Sequence, residues 1–140
     1  MARSNREAVA EQLHSAAIRL LRRVRKVDGQ SGVPPARLSA LSVLVFGGAA
    51  TLGELAEAED VKRPTITKIV QGLEEAGLVA RTPGPDARSA IVSATPEGKR
   101  VLERARTRRI ALFTKMLDDA TPAELAVLEK SSRVLGRLLS

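Results

Sequence analysis

One short stretch of the chain carries hydrogen-bonding side chains at helical spacing. Four apolar residues fall on one face of a helix predicted to begin near Pro64: Ile66, Ile69, Val70 and Leu73. The polar residues of the same stretch project elsewhere: Thr65, Thr67, Lys68 and Gln71. Hydroxyl, ammonium and amide groups are suited to the edges of bases in the major groove. Because acidic residues follow these groups, the N-terminal half of the helix is the end predicted to face DNA.

A turn-rich tip follows this helix and separates two β-compatible segments. The flanks read LVART and SAIVSA, and the tip reads PGPDAR. Proline and glycine stop the tip from continuing as sheet, so we expect a protruding loop that carries Arg81, Asp86 and Arg88. An arginine on such a tip is attracted by the negative potential of a minor groove. This pattern predicts a two-stranded wing.

The helix before the recognition segment is predicted to be a support. Thr51 and Glu54 form a capping-box pattern, so the helix should begin at Leu52. The carboxylates near its end would repel phosphates, and this helix should not lie deep in a groove. A core helix that starts at the proline pair 34–35 is expected to precede it.

Long amphipathic helices are predicted at both ends of the chain. Apolar residues recur at steps of three and four from about Asn5 to Val27, and the face is wider than a lone surface helix needs. A long helix should start after a cap at Thr95 and reach about Leu117, and a second capping box at Thr121 opens the closing helix. Their apolar faces would meet a second subunit or, alternatively, form an intramolecular core.

The composition limits the class of protein. The chain has 140 residues, which indicates one domain. Its net charge of +7 and pI near 10.8 indicate a polyanionic partner, either nucleic acid or an anionic membrane surface. It contains no cysteine and only two aromatic residues, both phenylalanine, which favours duplex DNA over single strands. Neither a signal peptide nor an apolar run of ~20 residues is visible, so we expect a cytoplasmic protein, associated with the nucleoid when bound to DNA.

Catalysis and metal binding have no support in the sequence. No nucleophile elbow and no phosphate-binding loop are visible, so no catalytic residue, cofactor or metal site is predicted. His14 is the only histidine and is expected to be a core or interface residue. The basic run from Lys99 to Arg109 is expected to be mostly a solvated helix face.

The order of elements, with the strings TLGELA, RPTITKIVQGLEEAGLV, PDAR and ATPEGKR, resembles the MarR (multiple antibiotic resistance regulator) family of bacterial transcription factors. The resemblance covers essentially the whole chain, residues 1–140. It implies a mainly α fold with a small β-hairpin wing. A winged helix-turn-helix lobe would span residues 35–95, with dimerisation helices at 5–27 and 96–140. It further implies a homodimer on a palindromic operator, acting as a repressor of the kind that is often released by a small-molecule ligand.

The resemblance also assigns residues. The DNA-binding set would be Lys62, Arg63, Thr65, Thr67, Lys68, Gln71, Arg81, Asp86 and Arg88. The dimer interface would include Val9, Leu13, Leu20, Leu128, Leu135, Leu138 and Leu139. Lys62 departs from the family pattern, which commonly has a capping serine there. An uncapped start would either leave N–H groups for a phosphate or weaken docking.

Two other classes of protein are compatible with parts of the pattern. A winged helix can bind protein as an adaptor, although the cations Lys62, Arg63 and Lys68 speak against that reading. The charge alone also permits a chromosome-coating protein that binds DNA without sequence preference. A comparison of specific and random duplexes separates the two DNA-binding classes.

Overall fold

The computed structural model describes residues 4–86 and 89–140 and confirms a mainly α fold with a small antiparallel sheet. The helices are α1 (Asn5–Asp28), α2 (Pro35–Gly47), α3 (Leu52–Ala58), α4 (Arg63–Glu75), α5 (Pro96–Leu117) and α6 (Pro122–Leu138). The strands are β1 (Ala50–Thr51), β2 (Val79–Thr82) and β3 (Ile91–Ala94). A 3₁₀ turn, Gly29–Ser31, follows α1. Within the described residues, no helix is both long and apolar enough to cross a membrane.

The sheet has three strands, one more than the predicted hairpin. The strand order is β1-β3-β2, and β1 pairs antiparallel with β3 through Ala50 opposite Val92 and Thr51 opposite Ile91. A strand of two residues is too short to show alternation, and its partner lies far along the chain. The extra strand joins the start of α3 to the base of the wing.

The predicted helix starts are confirmed by cap geometry. The Thr51 hydroxyl accepts a hydrogen bond from the Glu54 N–H at 3.2 Å, and the Glu54 carboxylate reaches back to the Thr51 N–H. Thr121 and Glu124 repeat this capping box at α6. These caps satisfy N–H groups that the first helical turn leaves without partners.

The core lies between α2, α3, α4 and the sheet. Its largest fully buried side chains are Leu41, Leu55, Ile66, Val70, Leu73 and Val92. A smaller cluster of Leu38, Leu102 and Ala105 packs α5 against α2. The lobe that carries the predicted recognition helix is therefore well packed within one chain.

α1 is tied to α5 by an ion pair that the sequence did not reveal. The Arg109 guanidinium donates to both carboxylate oxygens of Asp28, at 2.7 and 2.9 Å. The expectation of a solvated basic face is wrong for Arg109, because its guanidinium is paired with Asp28. The sequence could not signal this pair, since 81 residues separate the partners. Arg100 and Arg104 pair with Glu97 in the first turn of α5.

The terminal helices α1 and α6 contain no buried residue in the single chain. Val9, Leu13, Leu128, Leu138 and Leu139 are exposed, whereas Leu20 and Leu135 are half-buried. His14 is also exposed among the described residues, so it is not a core residue of the single chain, and its expected place in a dimer interface stays a prediction. The alternative of a purely intramolecular core for these helices is not what the fold provides.

Candidate nucleic-acid interface

A tight turn fixes the angle between α3 and α4. The Val61 N–H donates to the Ala56 carbonyl at 3.0 Å, and the Asp60 N–H donates to the Glu57 carbonyl at 3.1 Å. These two bonds close a Schellman motif whose left-handed position is taken by Asp60, at φ +51°. Aspartate tolerates this conformation better than most residues other than glycine. The turn therefore sets α4 rigidly on the packed α3.

α4 has one buried face and one exposed polar face. Ile66, Val70 and Leu73 are fully buried. Four residues of the predicted DNA-binding set are exposed on this helix: Arg63, Thr65, Lys68 and Gln71. Thr67 differs, because it is half-buried and its hydroxyl donates to the Arg63 carbonyl at 2.8 Å. Its hydroxyl oxygen is left to accept a hydrogen bond rather than donate one.

Arg63 reaches from α4 towards the first turn of α3. A Cβ atom built on Gly53 would lie 3.7 Å from Nη1 of Arg63 and 3.9 Å from the Thr51 hydroxyl oxygen. The guanidinium therefore lies beside the N-terminus of α3 rather than over the centre of α4. The cation of α4 thus lies at the junction of the two helices of the motif.

The start of α4 has the uncapped geometry that Lys62 implied. Lys62 is the N-cap residue, and its side chain makes no capping hydrogen bond. Pro64 has no N–H, and the Thr65 N–H donates to the Lys62 carbonyl at 3.0 Å. Of the first three positions of the helix, Arg63 is therefore the one that keeps an N–H to offer, and both outcomes expected of the uncapped start, a phosphate contact or weaker docking, stay predictions.

The end of α4 is joined directly to the start of α5. Gly77, at φ +74°, closes a second Schellman motif, in which the Leu78 N–H donates to the Leu73 carbonyl at 2.9 Å. The Thr95 hydroxyl donates to the Gly77 carbonyl at 2.7 Å and accepts from the Gly98 N–H at 3.1 Å. The sequence predicted Thr95 as a helix cap but missed its bond to the turn that ends the recognition helix, since nothing local indicates that contact.

The wing is attached to the recognition helix as well as to the sheet. β2 and β3 pair antiparallel, with Arg81 opposite Val92. Nε of Arg81 forms an ion pair with the Glu74 carboxylate on α4, with both side chains about one-third exposed. The predicted DNA-contacting arginine is thus held by a carboxylate of the recognition helix. Sequence reasoning missed Glu74 as this partner.

The tip of the wing is closed by Asp86 and Ser89. The Asp86 N–H donates to the Ser89 hydroxyl oxygen at 3.1 Å, and the Ser89 N–H donates to the Asp86 carbonyl at 3.2 Å. Gly84 lies so close to the Ser89 backbone that a larger residue would overlap it. Arg88, the predicted minor-groove residue, lies outside the described residues. Its role therefore stays a prediction.

Two carboxylates have partners within the fold, one at the end of α3 and one in the first turn of α5. Glu59 accepts hydrogen bonds from the Ser39 hydroxyl, at 2.9 Å to each carboxylate oxygen. The Arg100 side chain, and after it Arg104, hold the pKa of the exposed Glu97 carboxyl below its usual value. Arg100 and Arg104 offset the negative charge of Glu97, whereas the neutral Ser39 hydroxyl leaves the charge of Glu59 in place.

A comparison with known families agrees with this geometry. A model described as the MarR family matches residues 31–89, which include the whole helix-turn-helix. An uncharacterised HTH-type transcriptional regulator of Mycobacterium leprae is 38% identical over 132 residues, covering 94% of this chain and 92% of the relative. The chain belongs to the MarR family. It is accordingly a DNA-binding transcriptional regulator, and its relatives are regulators rather than enzymes.

Solved structures of MarR proteins share the fold over nearly the full length. A MarR family protein from Bacillus stearothermophilus superposes with a TM-score of 0.81 at 27% identity, covering 98% of this chain and 99% of that one. A structure of NadR in complex with 4-hydroxyphenylacetate has a TM-score of 0.64 at 22% identity, with 96% of each chain covered. The second likeness is one of fold alone.

Proposed function

We propose that this MarR protein acts as a homodimer on a palindromic operator, with one recognition helix in the major groove of each half-site. One observation carries the proposal: α4 exposes Lys68, Gln71 and Thr65 while its opposite face is fully buried in a rigid lobe. Polar side chains held on a packed helix are positioned for base contacts. Half-sites in such dimers lie ~34 Å apart, about one turn of DNA.

The contacts divide into base-reading and phosphate-binding groups. Gln71 has the amide geometry that suits adenine, and Lys68 suits the acceptors of guanine. Lys62 and the Arg63 N–H lie at the helix start, where a phosphate is favoured. Arg88 extends the contact into the neighbouring minor groove. Asp86 supports the tip through its backbone bonds to Ser89.

The dimer is proposed from the apolar surface that the single chain leaves open. The N-terminal half of α1 and the C-terminal half of α6 together form an apolar cleft of about 340 Å³, lined by Val9, Leu13, Val134, Leu135 and Leu138. The terminal Leu139 is 84% exposed. Monomeric proteins rarely expose contiguous apolar surface of this kind. A twin chain that contributes the same helices would cover it by two-fold symmetry.

We also propose that a small molecule binds in the cleft between α1, α2 and α5 and thereby releases the protein from the operator. The cleft measures about 370 Å³ and combines apolar Leu21, Val24 and Leu38 with Arg25, Ser42 and the Asp28–Arg109 pair. An organic anion with an apolar body suits such a lining. The NadR structure, of the same fold, holds a ligand of that class.

The central experiment selects duplexes from a randomised pool with the purified protein and measures affinity by fluorescence anisotropy. We expect a palindromic consensus, a bound stoichiometry of two chains per duplex, and steep loss of affinity as salt is raised. Gln71→Ala should relax the preference at one base position per half-site by about 1–3 kcal/mol.

Three outcomes would contradict the proposal. Equal affinity for selected and random duplexes would indicate a chromosome-coating protein. Absence of duplex binding at low salt would favour a protein-binding adaptor. Affinity that does not change between low and high salt would exclude phosphate contacts as its source.

A further inference from the structure

A cation from outside the helix-turn-helix lies on the flank of the recognition helix. Arg37 is the third residue of α2, and its guanidinium lies directly on α4 at Gly72. A Cβ atom built on Gly72 would be 2.5 Å from Nε of Arg37 and 2.6 Å from its second terminal nitrogen, Nη2. Real Cβ atoms do not approach other heavy atoms so closely. Only glycine at position 72 lets the guanidinium occupy this place.

The position of Gly72 places Arg37 next to the exposed polar face of α4. Gly72 follows Lys68 by four residues and Thr65 by seven, so the three lie in one row along the helix. The Arg37 guanidinium takes the place that a side chain at position 72 would have. The row of Thr65 and Lys68 is thereby extended by a cation that α2 supplies.

The charge of Arg37 has no counterion within the described part of the chain. Arg81, Arg100, Arg104, Arg109 and Arg133 each pair with a carboxylate there, whereas Arg37 does not. The Arg37 residue is half-buried, so its guanidinium is held in place rather than extended into solvent. A planar guanidinium next to the groove-facing side of a helix fits the oxygens of a phosphate.

We propose that Arg37 binds a phosphate of the DNA backbone beside the major groove that α4 enters, and that Gly72 is required to seat it. This inference rests on the proposed function and adds to it a contact from α2. Sequence reasoning missed Arg37 because α2 is a core helix by its pattern. Only the packing of α2 across α4 brings the guanidinium to the interface.

The test compares Arg37→Gln with the unmodified protein on the selected operator and on a random duplex, by anisotropy over a range of salt concentrations. Each phosphate contact contributes about 0.9 to the slope of log affinity against log salt, so loss of two contacts per dimer should reduce the slope by about 1.8. Affinity should fall about ten-fold on both duplexes, because a phosphate contact carries no sequence information. Lys115→Gln is the matched control, because it also removes one positive charge per chain but does so in the last turn of α5, outside the proposed DNA-binding set.

Two further variants separate a phosphate contact from a packing role. Arg37→Lys keeps the charge and should retain most of the salt slope, with a melting temperature equal to that of Arg37→Gln. Gly72→Ala should displace the guanidinium and weaken duplex binding, while the melting temperature stays the same or rises, since alanine is the better helix former.

An unchanged salt slope in Arg37→Gln, with the unmodified protein still selecting an operator, would overturn this inference and leave the proposed function intact. An equal loss of slope in the Lys115→Gln control would overturn it as well, because the effect would then come from net charge. If the unmodified protein bound no duplex, the proposed function itself would fail. Equal operator binding by Gly72→Ala and the unmodified protein would overturn the role of Gly72.

Discussion

The junction between the recognition helix and α5 gives a quantitative test of how the lobe is held. Thr95→Val keeps the shape of the side chain but removes the hydroxyl, which donates to the Gly77 carbonyl and accepts from the Gly98 N–H. Gly77 is exposed, so its carbonyl can bond to water instead. Gly98 is buried against the Leu78 carbonyl, and its N–H would remain without a partner.

The expected cost follows from these two environments. Loss of an N-cap bond costs about 0.5–2 kcal/mol, and we expect the upper end of that range because the Gly98 N–H that loses its acceptor is buried. We therefore expect Thr95→Val to lower the free energy of unfolding by about 2 kcal/mol and the melting temperature on the order of 8 °C. Operator affinity should fall more than affinity for random duplex, because the orientation of α4 relative to α5 is no longer fixed.

The assay is urea denaturation followed by circular dichroism, at one protein concentration because a dimer's stability depends on it. Thr95→Ser is the matched control, since serine restores the hydroxyl without the methyl group, and it should unfold close to the unmodified protein. If Thr95→Val unfolded at the same urea concentration as the unmodified protein, the junction would contribute nothing. If Thr95→Ser lost as much as Thr95→Val, the methyl group rather than the hydroxyl would be responsible.

Four further predictions test the wing, the dimer and the surface charges. Arg88→Ala should weaken operator binding by about 1–3 kcal/mol with an unchanged melting temperature, measured by anisotropy and by calorimetry. Truncation after Val134 removes the apolar end of α6 and should lower dimer stability, and with it operator binding; an intact, equally stable dimer in sedimentation would contradict this. A double-mutant cycle on Arg81 and Glu74 should give a coupling of about 0.5 kcal/mol, because the pair is partly exposed, and zero coupling would show that the wing is held by the sheet alone. The pKa of Glu97 is lowered in the fold, so the stability that this carboxylate contributes is complete above its unfolded pKa and is lost as the pH falls through its folded pKa. Glu97→Gln should therefore reduce the loss of stability on acidification. Near pH 7 the free energy of unfolding of this variant should vary with pH no more than that of the unmodified protein.

The helices and the wing of the DNA-binding lobe could be predicted from local sequence. Apolar spacing in α4 and the caps at Thr51 and Thr121 identified helix boundaries to within a residue or two, because both signals act over one or two turns. The wing hairpin was visible for the same reason: its strands are close in sequence and its tip contains residues that break sheets.

What sequence reasoning missed are contacts between distant segments. Strand β1 pairs with residues about 40 positions further on, and Asp28 meets Arg109 across 81 residues of the chain. No periodicity in the sequence encodes such pairs, since each partner looks like an ordinary surface residue in its own segment. Their existence depends on how the helices pack.

The sequence by itself determined the class of the protein, the order of its helices and the polar face of its recognition helix. The tertiary structure alone decided which cations surround that face. Arg63 lies beside α3, Arg81 is paired with Glu74, and Arg37 reaches α4 from another helix over Gly72. The physical reason is that local propensity fixes a helix and its faces, whereas the neighbours of a charged side chain are fixed only when separate helices are packed together.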